Sequence, residues 1–232
     1  MTRVPIVDSF LLKEGRVVRP DLHRKRFHRD AVWAGAPGHD VDHYFAHVGR
    51  ELPVHGEWFP KLQWDGSDFH LDVRPAPPRR DTTTLAVLPG RETDPRRHPA
   101  VKGPDLHVLG DMRNAARERG ADDAAIVSGG CVREAANGTL IFATDTGLAT
   151  APDDYLLPSV TWQATVDEVG IVKHTRDIPL DEALRTPAWC LSALHGWTAV
   201  TRWVLPSGEQ VPAPDVPWRG FTRRLWTRAE RW

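Results

Sequence analysis

Lysine is scarce in this chain of 232 residues: five, against 25 arginines. Cysteine is scarcer still. Cys131 and Cys190 stand alone, without C-x-x-C spacing, which excludes a disulfide framework and a cysteine-built metal site. No apolar run approaches roughly 18 residues, so a transmembrane helix is not expected. The opening stretch "MTRVPIVDSFLLKEG" lacks the long apolar core and small-residue cleavage site of a signal peptide, which makes the cytoplasm the expected location. Charge of one sign is missing too. The formal net charge is −1, too little for a field that would hold nucleic acid or an anionic membrane. There is no Walker loop, no G-x-G-x-x-G and no H-E-x-x-H.

What is present suits a soluble globular protein. Apolar residues make up 41% and charged ones 26%, and the length is sufficient for a real core. "PIVDSFLLKEGRVVRP" reads as two strands around a turn at Glu14-Gly15. "DLHRKRFHRDAVWAG" reads as a helix with Asp21 as N-cap and Gly35 as stop. A second helix carries Val41, Tyr44, Phe45, Val48 and Leu52 on one face. A hairpin turning at Asp65-Gly66 follows. Pro75, Pro77 and Pro78 with Arg79 and Arg80 then suggest a linker. Beyond it come a strand at "TTLAVL", an irregular "ETDPRRHPAVKG" and a helix with Pro104 in its first turn and Gly120 as stop. "DDAAIVS", "CVREA" and "GTLIFAT" read as an antiparallel series. A helix after "LLPS", a strand at "IVKHTRDIP", a short helix at "LDEAL", a strand at "AWCLSA" and a C-terminal amphipathic helix complete the chain. Hairpins and helices interleave, which predicts an α+β chain of two lobes. The boundaries are residues 1–76 for a small N-terminal lobe, 77–82 for the linker and 83–232 for a larger lobe.

Several constellations have a plain reading that outweighs the chemical one. His39, His43 and His47 share a helix face, and two such histidines can chelate a metal. No cysteine supports them, so a solvated polar face accounts for them better and no metal site is assigned. The C-terminal mixture of Arg219, Arg223, Arg224 and Arg228 with Trp218, Phe221, Trp226 and Trp232 can bind single-stranded nucleic acid. In a chain of near-neutral charge it fits a helix docking its aromatic face. "SGGC" before Cys131 fits a hairpin turn better than a thiol nucleophile.

Lys102 is different. It lies in "HPAVKGPDL", the only lysine between Lys61 and Lys173, and it opens the second of four blocks that stand in order. "RPDLHRKRFHRDA", "VKGPDLHVLGDMRNAARERGADDAAIV", "VREAANGTLIFA" and "LPSVTWQ", followed by "LSALHGWTAV", resemble the fold-type IV pyridoxal-phosphate enzymes. That family contains the branched-chain and D-amino-acid aminotransferases and aminodeoxychorismate lyase. The resemblance covers nearly the whole chain. It implies a two-lobed fold of the D-amino-acid aminotransferase type with pyridoxal 5′-phosphate between the lobes. It makes Lys102 the Schiff-base lysine, Arg26 the phosphate-binding arginine of an H-x-x-R-L helix, and Glu134 the carboxylate on the pyridine nitrogen. The amides of Val160 and Thr161 become phosphate donors. A lysine amine can form an imine with an aldehyde and arginine cannot, which explains a lysine in an arginine-rich chain. The family also implies a homodimer.

Departures accompany the resemblance. The chain starts almost at the family's "F-E-T" segment, here Val7-Asp8-Ser9, so the N-terminal lobe is shortened. The glycine after the hairpin carboxylate is Ala135, "G-I-T-R" reads Ser159-Val160-Thr161-Trp162, and a late-loop threonine falls at Ala193. These imply weaker cofactor binding. The expected activity is transamination between an amino donor and a 2-oxo acid acceptor. Release of pyruvate from 4-amino-4-deoxychorismate is the alternative within the family. A cofactor-free binding protein on the same scaffold is the alternative outside it.

Overall fold

Pairing and packing divide the chain into two units in the computed structural model, which describes residues 4–90 and 93–232. Residues 91 and 92, where the irregular stretch begins, lie outside the described residues, as do residues 1–3. The first unit is the chain up to Arg79 together with Val101–Pro104 and Arg223–Trp232. The second is Arg80–Ala100 with Asp105–Thr222. The sequence reading drew residues 83–232 as one continuous lobe carrying the lysine. The structure instead assigns Lys102 and the last ten residues to the first unit. The reason is local: Val101 packs on the first unit's core, while the Lys102 backbone is bonded to Asp30 and Val7.

In the first unit, β1 (Ile6–Ser9) pairs antiparallel with β5 (Lys61–Trp64), which pairs with β6 (Phe69–Asp72) across the turn at Asp65. A second small sheet joins β2 (Leu12–Lys13), β3 (Arg16–Val17) and β4 (Glu57–Trp58). The turn between β2 and β3 puts both Glu14 and Gly15 at positive φ. Helix α1 (Pro20–Trp33) and helix α2 (Gly38–Glu51) cover the core. Phe27, Ile6, Val41, Val48 and Leu62 are fully buried there. Asp21 is not the N-cap of α1. Arg19 holds that place in the left-handed region, because Pro20 starts the helix and Asp21 instead receives the Arg19 guanidinium.

The second unit is built on one nine-stranded sheet. Strand β7 (Thr82–Val87) runs through helix α3 (Leu106–Glu118) to β8 (Asp123–Ser128), which lies parallel to it. Pro104 precedes the N-cap Asp105 and is not in the first turn. Alternate β8 residues bury opposite faces. Ala124 and Ile126 pack with Met112 and Ala116 of α3, while Ala125 and Val127 face the other core with Phe142 and Trp203. Strand β9 (Cys131–Ala135) is the antiparallel partner of β8. The expected series stops there, since β10 (Thr139–Thr144) pairs with β11 (Gly147–Thr150) and with a later strand, β13 (Ala188–Ser192). Gly138 explains the turn of course: a Cβ there would sit 2.7 Å from Cys190 Sγ and 2.8 Å from Leu191 O. A bridge between Ala135 and Gly138 keeps β9, at one end of the strand order, beside the start of β10, third from the other end, and the sheet curls into a half-barrel.

Helix α4 (Val160–Val169) starts at N-cap Ser159 and stops at Gly170, as its sequence indicates. The expected strand at "IVKHTRDIP" shrinks to β12 (His174–Thr175), parallel to β11, and α5 (Leu180–Ala183) follows. Strand β14 (Gly196–Val204) pairs with β13, β7 and β15 (Gln210–Pro212). The C-terminal amphipathic helix is also corrected. Only α6 (Thr222–Trp226) is helical, and β16 (Glu230–Arg231) then joins β3. Trp232 stacks on Phe10 at 4.6 Å, so the aromatic residue docks as expected but from a strand end. No described helix is long and apolar enough to cross a membrane.

Candidate functional site

In the first unit, Asp8 of β1 is fully buried and receives Arg26 of α1 through Nε (2.8 Å) and Nη2 (2.9 Å). His23, one turn earlier, lies with Nδ1 2.8 Å from Asp8 Oδ1. Burial opposes ionisation of Asp8, but the charges and hydrogen bonds of Arg26 and His23 more than reverse this and hold its carboxyl well below the usual range. Burial also lowers the His23 value; Asp8 counters, and the Arg26 and Lys102 charges add to the lowering.

Lys102 is half-buried beside this cluster. Its backbone N–H donates to Asp30 Oδ2 at 3.0 Å, and its carbonyl accepts from Val7 N at 2.9 Å. Asp30, on α1 one turn past Arg26, is buried, and burial raises its pKa while the Lys102 amide opposes that. Gly103 completes the clasp. Its φ is 155° and an added Cβ would lie 2.0 Å from Pro5 O, so no other residue fits. The segment bearing Lys102 is thus pinned to β1 on one side and α1 on the other.

In the second unit, Glu134 of β9 is 5% exposed. Its Oε1 accepts from Arg96 Nη1, and its side chain makes no other hydrogen bond among the described residues. Arg96 is fully engaged. Asp94 receives its Nε (2.9 Å) and Nη2 (2.6 Å), and Tyr155 O accepts from Nη2 at 2.8 Å. Asp94 also caps its own turn by accepting from Arg96 N. The neighbouring Arg133 serves another group: it donates to Asp177 at 2.5 Å and lies over the Tyr155 ring at 4.0 Å. The segment after Tyr155 leads into α4. There Ser159 Oγ accepts from Trp162 N, and the first-turn amides of Val160 and Thr161 have no carbonyl a turn back to bond. Thr165 Oγ1 donates to Thr161 O and accepts from Trp197 Nε1, which fixes this turn on the sheet. At Ala193 the β13–β14 loop offers no hydroxyl, and Ser192 Oγ accepts from His195 N.

Arg26 and Lys102 therefore share the first unit, and Glu134, Val160 and Thr161 share the second. Arg96 and Asp94 were missed in the sequence because nothing distinguishes them within "ETDPRRHP"; Asp8, His23 and Asp30 were passed over as ordinary strand and helix residues. Cys131 is half-buried at its turn, and burial pushes the Cys190 thiol up, away from the reactive form. Among the described residues no cluster of three or more His, Cys, Asp or Glu could hold a metal ion.

Solved structures share this fold. A hypothetical aminotransferase from Mycobacterium tuberculosis in its apo form is 20% identical, with a TM-score of 0.77 over 97% of this chain and 87% of that one. The same description recurs for a PLP-bound form and for a form with alpha-ketoglutarate and PMP. The branched-chain amino acid aminotransferase from Escherichia coli is 15% identical, with a TM-score of 0.77 over 97% of this chain and 83% of that one. A putative 4-amino-4-deoxychorismate lyase from Legionella pneumophila is 13% identical, with a TM-score of 0.74 over 97% and 89%. No curated protein matches the sequence. The family description "Amino-transferase class IV" matches residues 6–203, a span that holds every candidate residue above, and the chain belongs to that family.

Proposed function

We propose that this chain is an aminotransferase that moves an amino group from an amino acid or amine to a 2-oxo acid, with Lys102 as the residue that bonds the cofactor. Class IV aminotransferases use pyridoxal 5′-phosphate. When bound, that cofactor supplies an aldehyde for the lysine amine and a cationic ring that withdraws electrons from the substrate α-carbon. The observation that carries the reading is Glu134, a buried carboxylate with one oxygen on Arg96 and, among the described residues, no partner for the other, the acceptor a protonated ring nitrogen requires.

The other assignments follow the chemistry of each group. Lys102, whose backbone is held by Asp30 and Val7, is the proposed proton carrier at the substrate α-carbon. The amides of Val160 and Thr161 open a ten-residue helix, where orphan N–H groups and the helix dipole favour a phosphate. Arg26 gives one edge of its guanidinium to Asp8, so the service proposed for it at a phosphate rests on its positive charge. The working form is proposed as a cytoplasmic homodimer, which would sediment at twice the chain mass.

Purified protein mixed with pyridoxal phosphate should turn yellow, and borohydride should then fix the cofactor on Lys102. Lys102→Ala should lose both properties. Label on Lys61 or Lys173 would overturn the assignment. Arg26→Lys, which keeps the charge beside Asp8 but loses the fork, should weaken cofactor affinity about tenfold. An amino donor alone should bleach the colour, and a 2-oxo acid should restore it. The solved lyase of the same fold gives the competing reading. If no donor bleaches the protein while aminodeoxychorismate yields pyruvate catalytically, the lyase reading replaces this one.

A further inference from the structure

Counted as charges at neutral pH, the Asp94–Arg96–Glu134 cluster has two carboxylates and one guanidinium. Arg96 gives its bidentate edge to Asp94 and only Nη1 to Glu134. The side chains of Arg96 and Glu134 are 2% and 6% exposed, and that of Asp94 is 13% exposed. A net negative charge in so enclosed a cluster is costly, and the Glu134 oxygen that Arg96 does not hold is not among the fully buried atoms, so it opens to solvent. A cluster built for stability alone would gain by dropping one carboxylate. Arg133, next to Glu134 in the strand, is paired with Asp177 instead. The arrangement therefore holds Glu134 in place by one hydrogen bond without neutralising it.

We propose that Asp94 and Arg96 are positioning residues that present Glu134 as an oriented, uncompensated anion to a cationic N–H of an aromatic ring ligand. This rests on the pyridoxal-phosphate reading and deepens it. Arg96 fixes the carboxylate by donating to Oε1, and its bond to Tyr155 O ties the cluster to the segment entering α4. Asp94 absorbs the guanidinium charge. Without Asp94, Arg96 would form a neutral pair with Glu134, and the attraction for a ring N–H cation would fall. Without Arg96, Glu134 would keep its charge and lose its orientation.

The test compares equilibrium affinities of the apo-protein for pyridoxal phosphate and for its 1-deaza analogue, whose ring carries C–H in place of nitrogen, by quenching of tryptophan fluorescence. Wild type should prefer the natural ring by about tenfold or more, the scale of a hydrogen bond between charged groups. Glu134→Gln should abolish the preference. Asp94→Asn, which keeps the size and one acceptor, should reduce it severalfold while leaving affinity for the deaza analogue unchanged. Arg96→Met should reduce it too, and Arg96→Lys should recover part of it. If Asp94→Asn weakens both ligands equally, or leaves the preference intact while Glu134→Gln abolishes it, the role given to the pair is overturned and the assignment of Glu134 survives. If wild type shows no preference, the assignment of Glu134 fails and the pair's role fails with it.

Discussion

Around Asp8 a buried carboxylate meets a bidentate guanidinium and an imidazole nitrogen; around Glu134 a single guanidinium serves two carboxylates. Both clusters lie away from water and both contain an arginine fork. They differ in balance. The fork of Arg26 closes on Asp8, the carboxylate that needs it, and the pair ties β1 to α1. The fork of Arg96 closes on Asp94 and leaves Glu134 half-served. A buried charge that is fully paired acts as scaffold, whereas one left partly unpaired is tolerated where a ligand supplies the missing partner.

The comparison breaks most severely at Asp8. Asp8→Ala removes the carboxylate from the buried Arg26 fork and from His23 and should cost about 3–5 kcal/mol of unfolding free energy. Urea denaturation of the apo-protein measures it, and a cost below that of an ordinary surface substitution would show that Asp8 is not the scaffold charge described here. A second buried acid sharpens the point through pH. Burial pushes the Asp123 carboxyl up to about 6, and its acceptance of the Ala124 and Asn137 amides only partly opposes this. The folded chain holds that proton more tightly than the unfolded one, whose value is near 3.8. The group's stabilising effect is therefore full below about pH 4 and is lost as the pH rises through about 6, a difference of ~3 kcal/mol. The stability of wild type relative to Asp123→Asn should decline across that window, and a flat difference would contradict the assignment.

Asp30 gives a smaller effect. Asp30→Asn removes the charge from the bond to the Lys102 amide and should cost about 1 kcal/mol. Hydrogen exchange at that amide should quicken in the variant, while exchange in the second unit's sheet stays unchanged. The smallest effect is expected at Glu134. Glu134→Gln keeps an acceptor for Arg96 and removes the excess negative charge, so apo-protein stability should rise slightly, by less than about 1 kcal/mol. A loss as large as that of Asp8→Ala would make the two clusters alike and end the distinction between them.

By itself, the sequence determined the features that depend on near neighbours. Local periodicity and turn chemistry located α2 and the β5–β6 hairpin, because Val41, Tyr44 and Val48 repeat at helical spacing and Asp65-Gly66 makes the turn. The ordered blocks around Lys102 carried the family, and a single lysine in that stretch stands out among 25 arginines. Tertiary structure decided whatever depends on long-range pairing. It moved β10 from β9 to β13, where Gly138 passes within reach of Leu191. It shortened the C-terminal helix, because Glu230 and Arg231 complete a sheet with β3, more than two hundred residues earlier. It also gave Asp94, Arg96, Asp8 and Asp30 their roles. A charged residue looks the same in sequence whether it is solvated or buried, and only the packing that excludes water makes its partner matter.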